Sequence, residues 1–262
     1  MSQTNTNKRR VPGLIAHRGY SCQYPENTLI SMSQAFKNGA CYVECDVQLT
    51  KDKVPVLMHD SDLLRTTAGE GQLHVLDYAT LRTLSADYQE KFGSKYANEK
   101  IPSLEEFVEL LKRWPDRKAF VEIKRSSLRE FGEEVVLKKI LPILEIVREQ
   151  VIIISFDDSV IRRLSVESGW KTGWVIDEWS TSAIDKAKEL NLDYFFVDHE
   201  CLPQELTTSQ EAFFQELSWK WVIYEVDDPE LASRLAQQGA DLIETNDVGT
   251  LIQSDTFVAG TC

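Results

Sequence analysis

Short apolar runs alternate along the chain with longer segments of helical period. Runs rich in β-branched and aromatic residues predict strands at 13–17, 42–47, 119–124, 151–156, 173–176, 194–198, 221–226 and 241–245. Apolar residues at helical spacing predict helices at 29–38, 104–113, 129–149, 159–167, 182–190, 210–217 and 229–238. Eight strands that alternate with helices favour a closed (β/α)8 TIM barrel, with a doubly wound open sheet as the alternative.

One apolar run breaks this alternation. Residues 54–59 follow the second strand after too few residues for a parallel crossover, so we predict a hairpin that returns His59 to the neighbourhood of Asp46. The next segment, 60–100, lacks strand alternation and contains three glycines. We interpret it as a small insertion that forms a cap beside the barrel mouth, within one catalytic domain spanning 1–262.

Composition narrows the classes of partner and the location. A formal net charge of -13 opposes nucleic acid and anionic membranes, so we expect neither as the main partner. No stretch approaches the roughly 20 apolar residues of a membrane span, and the apolar run after Arg10 is too short for a signal peptide. We therefore expect a cytoplasmic protein without stable membrane insertion. Its five cysteines lack C-x-x-C spacing, which favours free, buried thiols.

Carboxylates stand at the ends of two predicted strands. Alternation places Glu44 and Asp46 on one side of the second strand, and Glu122 ends the third. Three converging carboxylates repel one another unless a cation or protons neutralise them. Oxygen ligands favour a hard divalent ion, Mg²⁺ or Ca²⁺. The alternative is a structural network in which these acids pair with Arg18 and Lys124.

Other polar residues at the strand ends suit acid-base and phosphate chemistry. His17 and His59 each lie where a strand meets the mouth, and an imidazole exchanges protons near neutral pH. Arg18 and Lys124 can stabilise the negative charge of a phosphoryl group. Tyr224, and with it Phe156, is a candidate for the wall of an alcohol pocket, although aromatic residues on strands are more often core. His199 is a weaker candidate for a substrate contact.

The polar residues of Pro25-Glu26-Asn27-Thr28 lie just before the first predicted helix. We expect Asn27 or Thr28 to cap this helix, because their side chains accept hydrogen bonds from free backbone N–H groups. Glu26 could instead reach back into the mouth.

These motifs, in this order, resemble the glycerophosphodiester phosphodiesterase family, and most closely its soluble cytosolic bacterial branch. The matching pieces are His17-Arg18-Gly19, Pro25-Glu26-Asn27-Thr28, Glu44-x-Asp46, His59-Asp60 and Glu122-x-Lys124. The resemblance implies a TIM barrel in which Glu44, Asp46 and Glu122 bind one divalent cation, His17 and His59 form the acid-base pair, and Arg18 and Lys124 contact phosphate. It implies a small glycerophosphodiester substrate, such as glycerophosphocholine or glycerophosphoethanolamine, that yields sn-glycerol 3-phosphate and an alcohol.

The chain departs from the family pattern on its last two strands. The family often shows Trp-Thr-x-Asn and Thr-Asp where this chain has Tyr224-Glu225-Val226-Asp227 and Thr245-Asn246. Several alternatives stay open at this stage: a lysophospholipase D acting on lysophospholipids, a non-catalytic barrel that binds a phosphorylated metabolite, and attack by water or by the glycerol 2-hydroxyl. The pattern does not assign the base among the two histidines.

Overall fold

The fold is built on a closed barrel of parallel strands. A computed structural model of the protein describes residues 11–202 and 218–262. Eight parallel strands pair in a ring, since the first strand pairs with both the second and the last. The predicted (β/α)8 TIM barrel is thus confirmed, and the open-sheet alternative is wrong. The strands, including one antiparallel strand β3, are β1 Gly13–Ala16, β2 Tyr42–Leu49, β3 Pro55–Leu57, β4 Lys118–Ile123, β5 Val151–Ser155, β6 Thr172–Val175, β7 Tyr194–Asp198, β8 Lys220–Tyr224 and β9 Leu242–Thr245.

Helices lie between the strands and after the last strand. They are α1 Leu29–Lys37, α2 Tyr78–Leu81, α3 Gln89–Phe92, α4 Leu104–Leu111, α5 Arg125–Phe131, α6 Glu133–Leu144, α7 Asp158–Glu167, α8 Thr181–Glu189, α9 Pro229–Gln238 and α10 Val248–Ile252. The single helix predicted at 129–149 is wrong, because Gly132 adopts a left-handed φ of 79° and separates α5 from α6. The helix predicted at 210–217 lies outside the described residues.

Two apolar layers make the core. One lies between the strands and the surrounding helices, and the other fills the inside of the barrel. In the inner layer Phe120 packs edge-on against Tyr194 and Phe196, with ring centroids 4.9 and 5.2 Å apart. These rings close the barrel below the mouth. The inward-facing side chains two residues further along the strands therefore form the floor of the mouth.

The predicted hairpin is present. Strand β3 pairs antiparallel with the end of β2, and Met58 N–H donates to the carbonyl of Asp46 at 2.9 Å. The segment 60–100 that follows holds α2, α3 and a 3₁₀ turn at Leu73–Val75 around its own apolar cluster. It contacts the loop after β1, where Lys91 Nζ and the Tyr96 hydroxyl donate to the carbonyls of Ser21 and Gln23.

At the opposite end of the barrel, a disulfide joins Cys41 to Cys262. The expectation that the cysteines are free, buried thiols is therefore wrong for this pair, and among the remaining three only Cys45 is buried. Sequence spacing could not reveal the pair, because 221 positions separate its members and only barrel closure brings the tail to the start of β2.

No helix in residues 11–202 or 218–262 combines the length and the apolar character that crossing a bilayer would require.

Candidate active site

Three carboxylates converge on the floor of the mouth. Glu44, Asp46 and Glu122 point into the barrel because they lie on the same strand faces as Tyr42 and Phe120, which contact the inner apolar layer. Their residues are only 3%, 1% and 7% exposed, and one oxygen from each lies within 4.8 Å of the others. The structure thus brings together the three acids that the sequence singled out.

The charge balance of these acids fits a divalent cation. Burial raises the pKa of Glu44 well above its ordinary value, and burial together with the charge of Asp46 raises the pKa of Glu122 to about 7. In addition, Glu44 Oε1 is buried and has no hydrogen-bond partner among the described residues. An ion-pair network alone would leave this oxygen unsatisfied, which disfavours the structural-network alternative. The acidic group could therefore bind a metal ion.

Two cations flank the carboxylates. Lys124 Nζ bridges Asp46 Oδ1 and Glu122 Oε1 at 3.1 and 3.0 Å, and Arg18 Nε lies 3.2 Å from Asp46 Oδ2. Although burial opposes ionisation of Asp46, these two cations hold its pKa far below the usual range. Asp46 therefore stays ionised, whereas the raised pKa values of Glu44 and Glu122 show that the two cations do not neutralise all three carboxylates.

The loop after β1 is shaped so that its backbone and side chains reach the carboxylates. Arg18 has a left-handed φ of 53° and its N–H donates to Glu44 Oε2 at 3.0 Å. Gly19, with φ 81°, approaches α1 so closely that a Cβ would lie 2.6 Å from the backbone carbon of Ser31. Only glycine fits this contact, which explains its place in the His-Arg-Gly run.

The residues just before α1 make three different kinds of contact. Thr28 caps the helix by accepting from Ser31 N–H, as one of the two predicted alternatives. Asn27 instead binds Asp46 twice, donating from Nδ2 at 2.7 Å and accepting the Asp46 N–H at 3.0 Å. Glu26 reaches into the mouth, where it pairs with Arg18 and Arg65 at 2.9 and 2.8 Å.

His59 stands at one side of the carboxylates with a local partner. Its Nδ1 lies 2.6 Å from Asp60 Oδ1, and Arg65 pairs with the other oxygen of Asp60. Burial and the positive charges of Arg18 and Lys124 keep the pKa of His59 below its ordinary value, despite the opposing effect of Asp46. The ring is therefore held in place and is neutral near pH 7 in this charge environment.

His17 stands on the other side and is more deeply buried. Its Nε2 lies 4.0 Å from Glu44 Oε2, and its Nδ1 lies 2.9 Å from Asn246 Oδ1 and 3.3 Å from Glu225 Oε2. Burial opposes the charged form, but the carboxylates of Glu225, Glu244 and Glu44 outweigh it and raise the pKa to about 10. The two histidines thus face the same carboxylates from differently charged settings.

Two acids of the site escaped the sequence analysis as functional candidates. Glu244 is 3% exposed, and its Oε1 has no hydrogen-bond partner among the described residues; burial raises its pKa to about 7. Glu244 lies at the end of β9, two residues after the inward-facing Leu242. This alternation is the sequence signal that could have identified Glu244 as a residue of the mouth. Glu225 was noted only as a departure from the family pattern, and the fold places it against His17.

A cavity of about 820 Å³ opens beside His59, Glu122 and Lys124. Phe156 and the exposed Leu64 form part of its wall. Tyr224 packs against the inner apolar layer, and its hydroxyl donates to the Ile176 carbonyl at 3.4 Å; it is not among the residues that line this cavity. His199 lies in a short 3₁₀ turn after β7 and is not among the residues that line this cavity.

This arrangement defines a (β/α)8 barrel with an acidic, histidine-flanked site at its C-terminal mouth. The sequence profile of the Glycerophosphoryl diester phosphodiesterase family matches residues 17–250. The chain therefore belongs to that family of phosphodiesterases.

Individual relatives agree with this assignment. A glycerophosphodiester phosphodiesterase of the bacterium Caldanaerobacter subterraneus subsp. tengcongensis is 33% identical over 91% of this chain and 96% of its own length. Glycerophosphodiester phosphodiesterase 1 of Bos taurus is 49% identical over 36% of this chain, which corresponds to 28% of that protein. An Oleispira antarctica phosphodiesterase, solved in complex with the product sn-glycerol-3-phosphate, superposes with a TM-score of 0.80 at 26% identity, covering 92% of this chain and 95% of that one.

Proposed function

We propose that this protein hydrolyses glycerophosphodiesters to sn-glycerol 3-phosphate and an alcohol with the help of one divalent cation. The observation that carries the proposal is the meeting of Glu44, Asp46 and Glu122 between two histidines in a chain of this family. The product bound to the Oleispira antarctica relative supports a glycerol phosphate moiety in the substrate.

Glu44, Asp46 and Glu122 would hold the cation, Mg²⁺ or Ca²⁺, because all three offer oxygen ligands. When bound, such an ion neutralises charge on the phosphodiester oxygens. The unsatisfied Glu44 Oε1 and the raised pKa values of Glu44 and Glu122 support this role, since both features reflect a shortage of positive charge.

Arg18 and Lys124 would bind the phosphodiester and stabilise the charge that develops on it. Both lie at the rim of the carboxylate group, and Lys124 also lines the open cavity. Charged donors held in place before the reaction cost little reorganisation, which is why they stabilise a transition state effectively.

His17 and His59 would exchange protons with the reacting groups. One histidine removes a proton from the nucleophile, and the other donates a proton from its Nε2 to the departing alkoxide. In both rings the Nδ1 faces a carboxylate, Glu225 for His17 and Asp60 for His59, so the Nε2 atoms are the ones free to act. The nucleophile is either water or the glycerol 2-hydroxyl.

Residues around the carboxylates and histidines also have roles in the proposed activity. The segment 60–100 would act as a cap, because its Arg65 pairs with Glu26 and Asp60 beside the histidine. Tyr224 and Phe156 would wall the alcohol pocket. Nucleic acid is not expected as a partner for a chain of net charge -13. The lack of stable membrane insertion stays a prediction, which rests on the lack of a run of roughly 20 apolar residues in the sequence. A cytoplasmic location also stays a prediction.

The test is an assay of glycerol 3-phosphate release from glycerophosphocholine by the purified protein. EDTA should abolish turnover and added Mg²⁺ or Ca²⁺ should restore it, while Glu44→Gln should stay inactive under both conditions. Absence of turnover on glycerophosphocholine and glycerophosphoethanolamine with either metal would contradict the proposal. In that case, turnover of lysophosphatidylcholine would identify a lysophospholipase D.

A further inference from the structure

The two ring nitrogens of His17 have different surroundings. Nδ1 faces two acceptors, Asn246 Oδ1 at 2.9 Å and Glu225 Oε2 at 3.3 Å. Nε2 faces the carboxylate floor, 4.0 Å from Glu44 Oε2. The side chain of His17 is only 11% exposed, so the ring cannot turn to bulk water to satisfy either nitrogen.

The orientation of Asn246 is fixed by its other partners. Its Nδ2 donates to Glu225 Oε2 at 2.9 Å and to Asp227 Oδ2 at 3.2 Å, and its Oδ1 accepts from the Ser21 hydroxyl at 2.9 Å. Ionised carboxylates only accept hydrogen bonds, so the amide nitrogen must face them and the amide oxygen must face His17. Asp227 is itself held, because Asn246 N–H and the Thr245 hydroxyl both donate to its Oδ1 at 2.7 Å.

Because two acceptors face it, Nδ1 of His17 must carry a proton. We propose that Glu225 is a positioning residue for His17: directly, and through the orientation of Asn246, it holds the proton on Nδ1 and leaves Nε2 as the only nitrogen that exchanges protons with substrate. This inference rests on the proposed function, and specifically on the acid-base role of His17.

Proton transfer between His17 and the substrate involves Nε2 alone. When Nε2 takes a proton from the substrate, the ring becomes an imidazolium whose charge the Glu225 carboxylate stabilises; when Nε2 gives the proton up, the ring returns to the neutral Nδ1–H form. Nδ1 keeps its proton throughout. A carboxylate that orients an imidazole in this way acts on the rate without touching the substrate.

The side chain of Glu225 is 42% exposed, so Glu225→Gln should leave folding intact. The amide can present an NH₂ group to Nδ1, which favours the wrong tautomer, and the substitution removes one of the two carboxylates that orient Asn246. We expect kcat to fall by about 10- to 10⁴-fold, with KM close to that of the wild type. The lower figure is the loss seen when the partner of a metal-bound imidazole is removed, and the upper one is the loss when the carboxylate that orients a general base becomes an amide. Glu178→Gln is the matched control, since Glu178 is a glutamate of the same mouth that lies beyond β6 and makes no described contact with His17.

A second variant exchanges the carboxylates and the amide that surround Nδ1 of His17. In the triple variant Glu225→Gln, Asp227→Asn, Asn246→Asp, every carboxylate becomes an amide and the amide becomes a carboxylate. The new carboxylate at position 246 can then accept hydrogen bonds from the new amides at positions 225 and 227, from the Ser21 hydroxyl and from His17 Nδ1. Because Nδ1 again faces a carboxylate, most of the kcat lost in Glu225→Gln should return.

An NMR measurement tests the same idea without turnover. The wild-type protein labelled with ¹⁵N-histidine should show a downfield, slowly exchanging Nδ1–H proton that is absent from His17→Ala. This signal should move upfield or vanish in Glu225→Gln, persist in Glu178→Gln and return in the triple variant.

An unchanged Nδ1–H signal together with unchanged kcat in Glu225→Gln would overturn the proposal, and so would a triple variant that recovers neither. Failure of the wild-type protein to cleave any glycerophosphodiester would instead count against the proposed function, while the NMR signal still decides whether Glu225 holds the ring.

Discussion

The two ends of the barrel use buried residues in opposite ways. At the mouth, Glu44, Asp46, Glu122 and Glu244 are all buried, although Lys124 and Arg18 pair with only part of this charge. At the base, the C-terminal tail packs across the strand starts: Phe257 is buried in the outer apolar layer, Gly260 N–H donates to the Pro12 carbonyl, and Cys262 is bonded to Cys41.

The comparison shows that the base stabilises this fold, whereas the buried acids at the mouth destabilise it. Buried acids without full partners destabilise a protein, and they persist where binding or catalysis requires them. Buried apolar rings and a disulfide only add stability. Substitutions at the mouth should therefore change activity with little loss of stability, and substitutions at the base should do the reverse.

Glu44→Gln should lower kcat/KM by at least about 10³-fold, because a metal ion contributes several kcal/mol to a transition state. The free energy of unfolding of the metal-free protein should not fall, since the amide removes a buried negative charge that lacks a full set of partners. Steady-state kinetics and thermal unfolding in EDTA measure the two effects. A variant that loses stability but keeps its activity would reverse the proposed division.

His59→Ala and His17→Ala should each lower kcat about 10²- to 10⁴-fold, as expected when a general acid or base is removed. Both variants should keep their fold, because neither ring belongs to the apolar layers. Kinetics with glycerophosphocholine provide the measurement, and His74→Ala, a histidine of the segment 60–100 that pairs with Glu130, is the control. Near-normal turnover by either site variant would remove that histidine from the proposed mechanism.

Cys41→Ser should lower the free energy of unfolding by about 2–4 kcal/mol, the usual contribution of a disulfide. Its kcat should equal that of the wild type, because the bond lies at the end of the barrel away from the carboxylates. Chemical denaturation and the same activity assay provide the comparison. The control is Cys201→Ser, because Cys201 is a partly exposed free thiol. Cys45→Ser is unsuitable as a control, since Cys45 is buried in the core between strands and helices.

The metal-free protein should become less stable as the pH rises. Burial raises the pKa of Glu122 and Glu244 to about 7 in the folded state, so between about pH 4.5 and 7 the folded protein binds more protons than the unfolded chain, and stability falls with pH. His17 extends this trend: its pKa rises from 6.5 to about 10 on folding, so its contribution is full below 6.5 and is lost toward 10.

The measurement is the Tm in EDTA between pH 5.5 and 9, with and without excess Mg²⁺ or Ca²⁺. Because a bound cation replaces the protons on the carboxylates, it should raise the Tm more at pH 8 than at pH 5.5. A metal-induced shift in Tm that is equal at both pH values would show that the carboxylates do not bind the ion.

The sequence by itself determined the architecture and most of the mouth. Eight β-branched runs alternating with helical segments indicate a barrel, and the position of Glu44, Asp46, Glu122, His17 and His59 at strand ends indicates where they meet. These features could be predicted because alternation along a strand fixes which side chains face inward, and because the ends of parallel strands share one edge.

Only the tertiary structure decided the contacts that join distant parts of the chain. Glu225 and Asn246 reach His17 across more than 200 positions, and Cys262 reaches Cys41 across 221. Local patterns carry no signal for such pairs, because barrel closure, not spacing along the chain, places β9 between β1 and β8 and the tail beneath β2. The break at Gly132 escaped prediction for a different reason: a glycine within an apolar helical pattern is compatible with a continuous helix, and only the structure shows that Gly132 adopts a φ of 79° that ends α5.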